Sequence, residues 1–137
     1  MKEKITIETT VNKPIETVWN FWTEPEHIKK WNNASDDWHT PKSSNDLWTG
    51  GKFSSTMAAK DGSMSFEFWG VYDSVITHQE IKSTLGDDRK VEVIFSGDGS
   101  ETKIIETFEA ESQNSVELQR AGWQAILDNF KKYAEAQ

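Results

Sequence analysis

One long amphipathic helix at the C-terminal end, following residues 52 to 111 that read almost wholly as strand, limits the folds open to this chain more than any other feature. Over Ser115 to Tyr133, the residues Val116, Gln119, Trp123, Ile126, Leu127 and Phe130 recur at helical spacing and make one stripe. A single stripe cannot cover that much sheet. The expectation is a sheet gripping one helix with a hollow left beside it, and a hollow of that kind accommodates a small ligand.

The strands declare themselves by period-2 alternation. Ile5, Ile7, Thr9 and Val11 alternate with Lys4, Thr6, Glu8 and Thr10 in the first. Pro14 then suits the first position of a helix carrying Ile15, Val18, Trp19 and Trp22. Thr23-Glu-Pro-Glu26 has capping-box spacing and predicts a second short helix through Ile28 and Trp31, with the charged His27 turn facing solvent. Trp38-His-Thr-Pro41 reads as a brief extended segment that Pro41 keeps away from a central position. From Phe53 onward strand follows strand, with turns at Asp61-Gly62, Gly86-Asp-Asp88 and Gly97-Asp-Gly99. Phe66, Phe68, Gly70 and Tyr72 share one face of the longest strand, and Trp69 lies on the other. Ile104, Glu106, Phe108 and Ala110 share a face of the last one, and Asn114-x-x-Glu117 is expected to open the final helix. The predicted class is α+β: an antiparallel sheet of six or seven strands, two short helices after strand one, and a long C-terminal helix packed across the sheet.

The bulk numbers set limits. At 137 residues the chain reads as a single domain, residues 1–137, able to bury roughly 68% of its unfolded surface. Its net charge of -8 argues against nucleic acid or an anionic membrane as partner, since both reward basic patches. With no cysteine there are no disulfides, thiolate nucleophiles or zinc-thiolate sites. No apolar run of membrane-spanning length and no export-type segment is present, so a cytoplasmic location is expected. Seven Trp and seven Phe concentrate the apolar volume in large rings, which build cores and also line ligand cavities.

The order of strand, helix pair, antiparallel meander and long helix resembles the helix-grip fold of the START-like superfamily, to which the major birch-pollen allergen belongs. Val18-Trp19, then Thr23-Glu-Pro-Glu-His-Ile28 with Trp31, resemble the opening signature of proteins similar to the activator of the heat-shock-protein-90 ATPase. Gly70-Val-Tyr72 and Gly122-Trp123 followed by Leu127 match the same family, so the resemblance spans essentially the whole chain. It departs after Trp31, where many relatives carry a second Trp and then Gly-Pro, and this chain has Asn32-Asn-Ala-Ser-Asp-Asp-Trp-His39. The resemblance implies a cavity between sheet and C-terminal helix for apolar or amphipathic molecules, with a few members acting as cyclases or dehydratases. A chaperone partner is implied by the family's name alone.

Glu106 is the most informative side chain, because strand parity sets it among Ile104, Phe108 and Ala110 on the face that looks inward. A carboxylate there is costly unless partnered. Three readings stay open: quiet pairing with a hydroxyl, an arginine or water; a hydrogen-bond anchor for a ligand; and a general acid or base. Asp37 and His39, at i and i+2 of an extended segment, form a second acid-base candidate or a loop-anchoring bond. Walls for the hollow are expected from Trp38, Phe53, Met57, Phe68, Tyr72 and Trp123, with Glu106, His39 and Tyr72 orienting the ligand. The three histidines stand at no ligand spacing, and Thr49-Gly-Gly-Lys52 and Gly97-Asp-Gly-Ser-Glu101 lack phosphate-loop and calcium-loop frames, so no metal and no cofactor is expected. A binding module for a small apolar or amphipathic molecule leads, ahead of a cyclase- or dehydratase-like lyase and of an activator of a chaperone ATPase.

Overall fold

Alternation becomes a sheet once the strands find their partners. The computed structural model describes residues 3–137. Strand β1 (Lys4–Val11) turns Ile5, Ile7 and Val11 inward. Pro14 is the N-cap of α1 (Ile15–Thr23), one place ahead of its expected position, and Pro25 opens α2 (Pro25–Trp31). The predicted capping box is not formed: the Thr23 hydroxyl donates 2.8 Å to the Trp19 carbonyl, and Glu26 pairs with Lys29 at 3.0 Å. With Pro25 lacking an N–H and already set in helical φ, α2 starts without a side-chain cap.

The meander runs β2 (Trp38–Asn45), β3 (Lys52–Ala59), β4 (Ser65–Ile76), β5 (Glu80–Leu85), β6 (Lys90–Gly97) and β7 (Thr102–Glu109). Each pairs antiparallel with the next, and β1 adds to the free edge of β7, giving seven strands in the order β1-β7-β6-β5-β4-β3-β2. Strand β2 is longer than the brief segment expected, because its pairing with β3 carries it through the polar stretch Lys42 to Asn45. Pro41 falls where the register shifts between His39 and Lys42 on this edge strand, so its missing N–H breaks no regular ladder.

Helix α3 (Val116–Glu135) lies across the concave side and packs against β1 and both short helices. Its N-cap is Ser115, whose hydroxyl accepts 3.0 Å from the Leu118 N–H. Asn114, the expected cap, instead offers its carbonyl to the Gln119 amide at 2.9 Å. Phe108, Phe130, Ile5, Ile104 and Leu127 are fully buried between sheet and helix. One end of the curl is plugged by rings: Trp22 meets Trp31 at 5.0 Å and Phe130 at 4.9 Å, and the Trp31 indole N–H donates to the Phe21 carbonyl. His27 is not simply solvated. Its Nδ1 lies 2.6 Å from the Tyr133 hydroxyl and its ring packs on Phe21, tying α2 to the last turn of α3. No helix among the described residues is long and apolar enough to cross a membrane.

Candidate ligand site

Helix α3 sits over the β1 side of the sheet, and β3 to β5 curl up opposite it, so the space between is bridged by side chains rather than by backbone packing. A hollow of about 390 Å³ remains there. Phe53 and Met57 face it from β3, Phe66, Phe68 and Tyr72 from β4, and Trp123, Ile126 and Leu127 from α3. Period-2 parity puts Phe53 and Met57, and Phe68 and Tyr72, on the inner faces of their strands. The rings hold one another in place: Phe53 stands 5.0 Å from Tyr72, and Trp123 lies flat on Phe108 at 3.8 Å while meeting Phe68 edge-on at 6.1 Å.

Glu106 sits in the middle of β7, opposite Ile7 of β1 and Val93 of β6, with Ile104 and Phe108 before and after it on the same face. All four of these neighbours are apolar and buried. The side chain is 8% exposed, borders the hollow, and has no hydrogen-bond or ion-pair partner among the described residues. Burial alone pushes its carboxyl up to about 8. At neutral pH it therefore holds its proton and is an uncharged donor.

Several of the other polar groups around the hollow are held in hydrogen bonds. Ser43 and Ser55 share a 3.0 Å hydrogen bond, and the Asn45 amide donates 2.7 Å to the Thr23 carbonyl. The Gln119 amide accepts from the Glu111 N–H at 2.9 Å and donates to the Glu111 and Asn114 carbonyls. Arg89 is tied to Asp87 at 2.7 Å through Nε. The Tyr72 phenol is pushed up to about 12 by burial, against the opposing effect of Asn45. Nothing local in the sequence marks Ser43, Asn45, Ser55, Ser83 and Gln119 as site residues, since an inward polar side chain reads the same as a solvated one.

Five of the expected wall residues, Phe53, Met57, Phe68, Tyr72 and Trp123, come together with Glu106. Trp38 and His39 do not border the hollow. Trp38 packs on Phe66 at 5.9 Å near the tip of the β3–β4 hairpin, and His39 is exposed on the edge strand. Asp37 lies in the turn before β2, so the i, i+2 parity that would align it with His39 does not extend to it. Its carboxylate accepts 2.5 Å from the Ser35 hydroxyl, and its carbonyl accepts from the Lys60 N–H. Asp37 anchors its own turn, and no bond joins it to His39. Trp69, on the outer face as parity required, is 45% exposed and lies between Lys52 and Gly86. No group of three His, Asp or Glu among the described residues is placed to hold a metal ion.

Comparison with known proteins places this geometry. The chain is similar to an AHSA1-like protein of Aeromonas hydrophila, whose solution structure matches with a TM-score of 0.92 at 46% identity over 98% of this chain and 93% of that one. A Cytophaga hutchinsonii protein solved in solution matches at 56% identity and a TM-score of 0.84, covering 97% of this chain and 92% of that one. A crystal structure from Nitrosomonas europaea, at 18% identity over 97% and 94% of the two chains with a TM-score of 0.81, shares the fold alone. No curated protein matches the chain. The family model described as activator of Hsp90 ATPase homolog 1-like protein matches residues 12–135, and the chain belongs to that family.

Proposed function

We propose that the chain is a binding module for a small apolar or amphipathic molecule, held between the sheet and α3 with Glu106 as its polar anchor. The observation that carries this reading is a buried carboxyl, unpartnered among the described residues, bordering a hollow of about 390 Å³ walled mainly by apolar side chains. A carboxyl that faces the hollow with no protein partner leaves a hydrogen bond worth about 0.5–1.5 kcal/mol unmade. A guest that supplies the missing partner makes that bond and buries apolar surface in the same event. The net charge of -8 keeps nucleic acid and anionic membranes outside the proposal.

Solvent extraction of the natively purified chain, followed by mass spectrometry, tests this directly. One organic molecule per chain is expected. The extracted chain then binds the neutral dye N-phenyl-1-naphthylamine, and a Ser83→Phe variant that fills the hollow, its fold verified by circular dichroism, does not. Recovery of nothing together with no dye uptake, or equal dye uptake by the filled variant, contradicts the reading.

The same carboxyl favours a second reading, a cyclase- or dehydratase-like lyase, because an acid poised near working pH suits proton transfer. It ranks second because the residues beside Glu106 on β1, β6 and β7 are apolar, leaving no adjacent base or acid to share the work. Conversion of the recovered molecule by the wild-type chain but not by Glu106→Gln would promote it; no conversion by either would remove it.

A further inference from the structure

The surroundings of Glu106 say which end of a guest it accepts. Its neighbours on the inner face are Ile7, Val93, Ile104 and Phe108, and the α3 residues bordering the hollow are Gln119, Trp123, Ile126 and Leu127, none of them titratable. The other titratable groups around the hollow are Tyr72 on β4, Arg89 before β6 and Glu111 after β7. Arg89 follows the inward parity of Val91 and Val93 and is drawn to Asp87 and to the Glu109 carbonyl at the far end of the strand. No cation therefore stands beside Glu106.

Three kinds of guest head group can be compared at that point. An ammonium brings three N–H donors, and with only apolar side chains around Glu106 two of them stay unmet, on top of the cost of desolvating both charges. A carboxylate or phosphate brings a charge that no nearby cation compensates. An uncharged carbonyl oxygen needs one donor, and a carboxylic acid supplies one.

We infer that the hollow selects amphiphiles presenting an uncharged carbonyl oxygen to the Glu106 carboxylic acid, and that ionising Glu106 releases them. This rests on the binding reading above and specifies its ligand class. Because burial sets the carboxyl at about 8, the acid form is the resident one at neutral pH and the release falls on the alkaline side. Binding to a protonated group must weaken about tenfold per pH unit once that group ionises.

A matched series of 2-decanone, decylamine and decanoate, titrated calorimetrically into the solvent-extracted full chain from pH 6 to pH 10, separates the alternatives. The expected result is tightest binding of 2-decanone, with affinity flat to about pH 8 and falling about tenfold per unit above it. In Glu106→Gln, whose amide still donates a hydrogen bond, the affinity for 2-decanone should not depend on pH. A second readout needs no variant: at pH 9, runs in two buffers of different ionisation enthalpy should show 2-decanone taken up with close to one proton. Preference for decylamine or decanoate, or 2-decanone binding without proton uptake, overturns the inference and leaves the container reading intact. Failure of all three probes together with the naphthylamine dye overturns both.

Discussion

Replacing Glu106 by Gln removes one titrating group from the interior at nearly constant volume, and the consequence for stability has a definite sign. The folded chain holds the Glu106 proton up to about pH 8, whereas an unfolded glutamate releases it near its ordinary value of 4.5. Between those limits the folded state binds more protons than the unfolded state, so this group makes stability fall as pH rises. The stability it confers is complete below 4.5 and gone above about 8. The span of 8 − 4.5 = 3.5 pH units, at about 1.4 kcal/mol each, sets a ceiling of about 5 kcal/mol. Water drawn into the hollow around a newly formed carboxylate lowers this, and about 3–5 kcal/mol is the expected range. Urea denaturation of wild type and Glu106→Gln at pH 4, 6, 7.5 and 9 measures it, since every other titrating group cancels in the difference between the chains. The variant should gain on wild type steadily with pH and level off above about 8. A difference constant across the whole range would mean that Glu106 ionises as freely in the folded chain as in the unfolded one, and would refute the reasoning.

Two pairs of substitutions test the framework around the site. Ser115→Ala should cost about 1 kcal/mol in a denaturant titration, because the Ser115 hydroxyl caps the Leu118 N–H, and Asn114→Ala should cost less, its side chain capping nothing. Gly70→Ala should destabilise by about 1–3 kcal/mol, since a Cβ would come within 2.6 Å of the Thr84 carbonyl and 2.7 Å of the Phe53 ring, while Gly122→Ala, with nothing within 4 Å and a helical position, should stabilise by about 0.5–1 kcal/mol; thermal midpoints of the two variants should move in opposite directions.

What could be read from the chain before its structure was known was mostly what period-2 and period-3.6 spacing encode. Ile81, Ser83 and Leu85, then Val91, Val93 and Phe95, then Ile104, Glu106 and Phe108 all turn inward as alternation requires, and that parity alone located the buried carboxyl. The helix stripe from Gln119 to Phe130 was equally legible. Local capping patterns were less so, because Thr23, Asn114 and Ser115 each offer a capping oxygen and only the backbone path decides which is used. The i, i+2 alignment of Asp37 with His39 does not arise, because parity assumes continuous strand and a turn ends just before Trp38. His27 found Tyr133, a partner 106 residues away, which no local pattern announces. The polar seam of Ser43, Asn45 and Ser55 depends likewise on how an edge strand with no apolar alternation docks.

The central claim is an uncharged, unpartnered carboxyl facing an open interior, and carbon-detected NMR titration of the glutamate side chains in the solvent-extracted chain, with Glu106 assigned by its loss in Glu106→Gln, addresses it most directly. A Glu106 midpoint near 8, well apart from the other glutamates, is the predicted result. A midpoint near 4.5 would contradict it, since a carboxyl that ionises there is either solvated or already paired.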